Sequence, residues 1–205
     1  LLVGILGNAD LALGDAPPDS PLHESLNAIV TSSERAADLC RQMLAYSGRG
    51  KFVVIPVSLN DLVTEMGHLL TVSVSKRVTL LFEPEADLPL VKADATQLRQ
   101  IVMNLITNAS EAIGDREGTI RMSTGKLVWT DNEIGAYVMG GELRDSQCYA
   151  FVRVSDTGSG MDSATLQRIF DPFFTTKFTG RGLGLAAVLG IVRGHNGAIR
   201  VESSV

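Results

Sequence analysis

The chain has 205 residues, 45% hydrophobic and 20% charged, with 18 Lys and Arg against 23 Asp and Glu, a formal charge of −5. That length allows one large domain or two small ones around a buried core. The acidic balance lacks the general electrostatic footprint of a nucleic-acid binder, and no run approaches the roughly 18 apolar residues that a membrane-spanning helix needs.

The opening segment Leu1–Leu13 is apolar but is interrupted by Asn8 and Asp10, with no basic region ahead of it, so no signal peptide is expected. Gly14 to Pro21 (GDAPPDSP) forbids continuous helix, and Ser20 is positioned to cap a helix starting at Pro21. From there Leu22, Leu26, Ile29, Ser33, Ala36, Cys40, Met43 and Ser47 alternate at spacings of four and three, a heptad seam. A helical hairpin is therefore predicted over residues 1–50. Two helices cannot enclose that seam, so a homodimeric four-helix bundle is the economical way to cover it.

Beyond Gly48–Gly50 helices and strands mix. Strands are predicted at Phe52–Val57, Val78–Phe82, Thr119–Thr130, Cys148–Ser155 and Ala198–Ser203, and helices at Leu59–Ser73, Asp94–Ile113, Ser163–Phe170 and Leu183–Arg193. This is an α+β pattern, a mixed sheet covered on one face by helices. Cys40 and Cys148 match neither a zinc spacing nor a disulfide framework, which fits a reducing, cytoplasmic compartment. The chain stops at Val205 inside an expected strand and reads as a fragment.

Four blocks carry chemistry. On the long helix, Asn104 and Asn108 are one turn apart, so both amides share a face. A carboxamide oxygen is a hard neutral ligand suited to Mg²⁺, although two surface asparagines would read the same way. Asp156-Thr157-Gly158-Ser159-Gly160-Met161 follows a strand; Asp156 can accept from an exocyclic amine and the glycines admit a close ligand, as they would in an ordinary turn. Phe170-Asp171-Pro172-Phe173-Phe174-Thr175-Thr176-Lys177 combines aromatics expected to serve as core and loop anchor with a lysine able to meet a phosphate. Thr179-Gly180-Arg181-Gly182-Leu183-Gly184-Leu185 runs straight into a helix, whose N-terminal amides suit an anion. It is neither a Walker A loop nor a Rossmann fingerprint.

In this order the blocks NLxxNA, DTGSGM, FDPFFTTK and GRGLGL resemble the N, G1, F and G2 boxes of the GHKL ATP-binding fold, in the form found in two-component sensor histidine kinases. The hairpin resembles their dimerisation and phosphoacceptor domain, and ILGNADLAL its first helix just after the acceptor histidine. The resemblance implies residues 1–50 as a truncated dimerisation hairpin and 51–205 as a GHKL α/β sandwich lacking its last strand. It implies ATP and Mg as cofactors, with Asn104, Asn108 and Lys177 catalytic and Asn108 the metal ligand. Ala112, Asp156, Gly158, Gly160 and Met161 would form the adenine pocket; Thr176, Lys177, Gly182, Leu183, Gly184 and Leu185 would hold the phosphates beneath a lid, Phe174–Arg181. The implied reaction is phosphoryl transfer from ATP to a histidine and then to an aspartate of a response-regulator receiver domain. The implied partners are a second copy and that receiver, with no nucleic acid and no direct membrane contact.

His23, His68 and His195 do not fit the acceptor, which the resemblance places upstream of Leu1. Two other readings stand beside the kinase. One is an ATPase clamp like gyrase, Hsp90 and mismatch-repair proteins, which place a glutamate where this chain has Asn104. The other is a non-catalytic ATP-binding scaffold.

Overall fold

The computed structural model describes residues 1–46, 53–71, 74–129, 138–139, 146–177 and 182–205 (backbone alone at 35, 38–46, 71 and 138–139). The chain divides into two compact units, Leu1–Leu44 and Ala45–Val205.

The first unit holds α1 (Leu2–Asp15) and the start of α2 (Pro21–Tyr46). Ser20 caps α2: its Oγ accepts the His23 N–H at 3.2 Å, and Pro21 opens the helix where a missing N–H costs nothing. Ala9 and Leu26 are buried, whereas Leu22 and Ile29 of the seam are 58% and 44% exposed. An open groove of about 610 Å³ runs between the helices, lined by Gly4, Ile5, Ala9, Leu26 and Ile29 among others. The side chains of Cys40 and Met43, and all of residues 47–52, lie outside the described residues.

The second unit runs β1 (Ile55–Val57), α3 (Leu59–Thr71), β2 (Val78–Glu83), β3 (Val91–Ala93), α4 (Ala95–Ile113), β4 (Gly118–Val128), β5 (Val138–Met139), β6 (Cys148–Asp156), α5 (Ser163–Leu166), α6 (Gly184–Gly194) and β7 (Ala198–Ile199). The central sheet has the order β2-β4-β6. The β2–β4 pair is parallel and β4–β6 antiparallel, so the sheet is mixed. Alternation along β4 buries Ile120, Met122 and Thr124 and leaves Arg121 outside. Against the inner face pack Leu62, Val63, Met66 and Leu70 of α3 and Val102, Ile106, Ala109 and Ile113 of α4. These are the 3.6-period positions of two amphipathic helices. Thr124 is the one polar side chain of this layer on β4; its hydroxyl donates to the Asn60 Oδ1 at 2.5 Å and accepts the Glu85 N–H at 3.1 Å.

Four local expectations change. β3 pairs with β1 (Val57 opposite Val91); its three residues between a proline-bearing loop and a helix cap are too few for a periodic signal. Within the expected loop 131–147, β5 pairs with β7, and 140–145 lie outside the described residues. The helix expected to reach Phe170 ends at Leu166, where bonding tightens to i−3: Arg168 N–H to Thr165 O, and Asp171 N–H to Arg168 O. Pro172 disfavours a helical Asp171. The closing strand is two residues long instead of six.

Candidate functional site

Asp94 fixes the start of α4. Its Oδ1 accepts the N–H groups of Thr96 at 2.9 Å and Gln97 at 3.2 Å, and its Oδ2 accepts that of Val53 at 2.9 Å. Burial pushes the carboxyl pKa up, but these three donors outweigh it, and the net shift is downward. The Asp94 N–H donates to the Nε2 of His195 at 3.0 Å, and the His195 Nδ1 lies 2.9 Å from the Ile191 carbonyl. A carbonyl only accepts, so Nδ1 is the donor of this pair and Nε2 the acceptor. The start of α4 is thereby tied to the end of α6.

One face of α4 then presents Asn104 and Asn108 to the start of α6. A methyl on Gly184 would lie 3.5 Å from the Asn104 Oδ1 and 3.9 Å from the Asn108 Nδ2, so Gly184 brings the helix backbone against both carboxamides. This helix start has no side-chain cap: Leu183 stands at the N-cap, and the first helical bond is Ala187 N–H to Leu183 O at 2.9 Å. The amides before Ala187 have no intrahelical acceptor. By contrast α4 is capped by Asp94 and α5 by Asp162, whose carboxyl pKa is lowered by its hydrogen bonds from Thr165. An uncapped helix start beside two amides has the donors to receive an anion.

Lys177 reaches this place from the F box. Its Nζ donates to the Asn108 Oδ1 at 3.1 Å and ion-pairs with Glu111. The Nδ2 of Asn104 is buried without a partner, a donor that a phosphate oxygen would satisfy. Asn108 already turns its carbonyl oxygen onto a cation. This donor set fits Mg·ATP: Asn108 would hold the metal, and Asn104, Lys177 and the α6 amides the phosphates.

The G1 residues assemble at the other end of α4. Asp156 pairs opposite Ile120, on the helix-covered face of the sheet, and one of its carboxylate oxygens accepts the Gly158 N–H at 2.8 Å. A methyl on Gly158 would lie 2.6 Å from the Ala112 Cβ, and the Ser159 N–H donates to the Ala112 carbonyl at 3.0 Å. Gly160 has φ +68°, with the Ser204 carbonyl where a side chain would stand, and the Met161 N–H donates to the Ser203 Oγ at 2.9 Å. A recess of about 250 Å³ also includes Asp156, but its other walls are Leu81, Thr119, Arg121, Ser155 and Thr157, none of them expected site residues.

The F box departs from expectation in part. Ile169 is buried, but Phe173 is 62% exposed and so is not core; its φ is +67°. Phe174 is half-buried, with the Arg168 guanidinium 4.3 Å from its ring centroid. The Phe173 N–H meets the Gly182 carbonyl at 2.8 Å, joining the F box to the second glycine box. Thr176 is exposed, and Leu185 is half-buried in the first turn of α6. Thr179, Gly180, Arg181 and positions 178–181 of the expected lid lie outside the described residues. Glu111 and Asp94 are additions. Glu111 had a signal, three residues from Asn108 on the same helix face; Asp94 could be recognised only as a cap.

Residues 93–205 match the family of histidine kinase-, DNA gyrase B- and HSP90-like ATPases. Over the whole chain the sensor kinase CckA of Brucella abortus is 34% identical, and the chain spans 21% of that protein. The sensor histidine kinase ZraS of Salmonella typhimurium is 32% identical over 98% of the chain, which spans 40% of it. In fold, the crystal structure of full-length ShkA in complex with AMPPNP superposes with a TM-score of 0.68 over 94% of this chain and 38% of that one, at 24% identity. No helix among the described residues is long and apolar enough to cross a membrane. The chain belongs to the family of histidine kinase-, DNA gyrase B- and HSP90-like ATPases, and the relatives it resembles along its length are sensor histidine kinases.

Proposed function

We propose that this chain is the ATP-binding and dimerising core of a two-component sensor histidine kinase. The observation that carries the reading is the uncapped start of α6, set by Gly184 against Asn104 and Asn108, with Lys177 beside them. The reaction is transfer of the ATP γ-phosphoryl group to a histidine imidazole, then to an aspartate of a receiver domain. A neutral imidazole is already a nucleophile, so the task of the site is positioning and charge neutralisation. The amides at the start of α6 and the buried Asn104 Nδ2 bind phosphate oxygens, and Lys177 adds a mobile positive charge. Bound at Asn108, Mg²⁺ would neutralise charge on the transferring phosphates. Asp156 accepts from the adenine amino group, while Ala112, Gly158, Gly160 and Met161 shape the base pocket.

The hairpin supplies dimerisation. Leu22 and Ile29 stay exposed on the seam, and a second copy that covers them completes a four-helix bundle. Cys148 is a free, exposed thiol, in keeping with a cytoplasmic setting. The test incubates γ-labelled ATP and Mg²⁺ with this chain and with a version extended upstream through the expected acceptor helix. Label confined to the extended protein, lost in acid and kept in alkali, supports the kinase. Nucleotide binding with no label on either protein would overturn it in favour of an ATP-gated scaffold or clamp.

A further inference from the structure

Glu111 was not among the residues that the motifs single out, yet it is the second partner of Lys177. Asn108 and Glu111 are three apart on α4, so both reach the same point above the helix. The Lys177 ammonium sits between them, donating to the Asn108 Oδ1 at 3.1 Å and ion-pairing with the Glu111 carboxylate. Two cation-binding features therefore meet here, a neutral carboxamide oxygen and a carboxylate, and the lysine ammonium satisfies both. The amide partner is the residue assigned to the metal, and the lysine is assigned to the phosphates. Neither can do its assigned work while engaged with the other.

We propose that Glu111 is a positioning residue that parks Lys177 on Asn108 in the nucleotide-free site, the ammonium standing where a metal would be held, and that loading with Mg·ATP displaces this contact. The proposal rests on the nucleotide reading above. Lys177 exchanges the Glu111 carboxylate and Asn108 oxygen for phosphate oxygens, and Asn108 becomes available to a metal. No bond is made or broken in the exchange; one set of charge-assisted hydrogen bonds replaces another. Glu111 thus weakens nucleotide binding by stabilising the empty state, and it does so through Lys177 alone. The pair is half-exposed (37% and 50%), so its effect is modest: an exposed pair of this kind changes an affinity by about two- to fivefold.

The experiment is a double-mutant cycle on this chain, reading Mg·ATP affinity by calorimetry for the unaltered protein, Glu111→Gln, Lys177→Gln and the double variant. The expected result is two- to fivefold tighter binding in Glu111→Gln, a gain that disappears in the Lys177→Gln background, with Glu111→Asp restoring the original affinity. Without nucleotide, the Asn108 side-chain amide resonances should move in Glu111→Gln as Lys177 loosens, and Lys177→Gln should move them further. Unchanged or weaker binding in Glu111→Gln would overturn the proposal, as would a gain of equal size without Lys177, which is plain charge repulsion. Failure of the unaltered chain to bind ATP would overturn the nucleotide reading itself, and this proposal with it.

Discussion

The Phe173 N–H and the Gly182 carbonyl meet at 2.8 Å, joining the F box to the second glycine box nine positions on. The junction leaves no room at Gly182: its φ is +65°, and a methyl there would lie 2.4 Å from the Phe173 carbonyl carbon and 2.5 Å from the Phe174 oxygen. Both obstacles are backbone. We therefore predict that Gly182→Ala lowers stability by about 1–3 kcal/mol and weakens ATP binding, because Leu183 and the α6 amides follow directly. A variant with unchanged melting temperature and ATP affinity would show that the junction does not support the site.

Asn108→Ala removes the carboxamide oxygen that would hold Mg²⁺. Losing a hydrogen bond to a charged group costs about 1.5–3 kcal/mol, so Mg·ATP affinity should fall by about ten- to a hundredfold. Metal-free ATP makes no use of a metal-holding oxygen, so its affinity should fall less. Titrating the variant with and without Mg²⁺ checks this, and equal losses would dismiss Asn108 as the metal's partner.

Asp156→Asn is a conservative probe, because an amide oxygen can still accept the Gly158 N–H that one carboxylate oxygen takes at 2.8 Å. The loop should keep its shape while the second acceptor becomes a donor facing the adenine amino group. ATP binding should weaken by about tenfold or more with GTP binding little changed. Parallel loss for both nucleotides would rule out the adenine role.

Asp94→Ala removes the α4 cap and the Val53 tether together, and should cost about 1–2 kcal/mol, or several degrees in melting temperature for a unit of this size. The native carboxyl pKa lies below its ordinary value. Its stabilisation is therefore complete above the ordinary carboxylate range and is lost as pH falls through the lowered folded-state value. The melting-temperature gap between the unaltered protein and Asp94→Ala should be widest near neutrality and close on strong acidification. A gap that widens in acid would contradict the sign.

Much of this arrangement was legible in the residues, and the boundary of legibility is physical. Periodicity located α4 because Val102, Ile106 and Ala109 share one stripe, and the order of the four blocks carried the family resemblance. Pairings between distant short segments were not legible: β1 with β3, or β5 with β7, carry two or three residues each. Phe173 looked like core because composition records that a side chain is apolar, not that its backbone turns it outward at φ +67°. The His195 bridge to Asp94 spans 101 positions of sequence, and nothing in either residue's neighbourhood announces it.

That bridge has a mechanical consequence. The start of α4 is fastened to the end of α6 at Asp94 and His195, and the middle of α4 abuts the start of α6 at Asn104 and Gly184. Two helices pinned at two points a few turns apart cannot slide along one another, so the gap between the amide pair and the α6 start behaves like the fixed jaws of a gauge. Whatever occupies it must match a spacing set during folding, and accommodation to different occupants is left to side chains such as Lys177 that swing into the gap from outside.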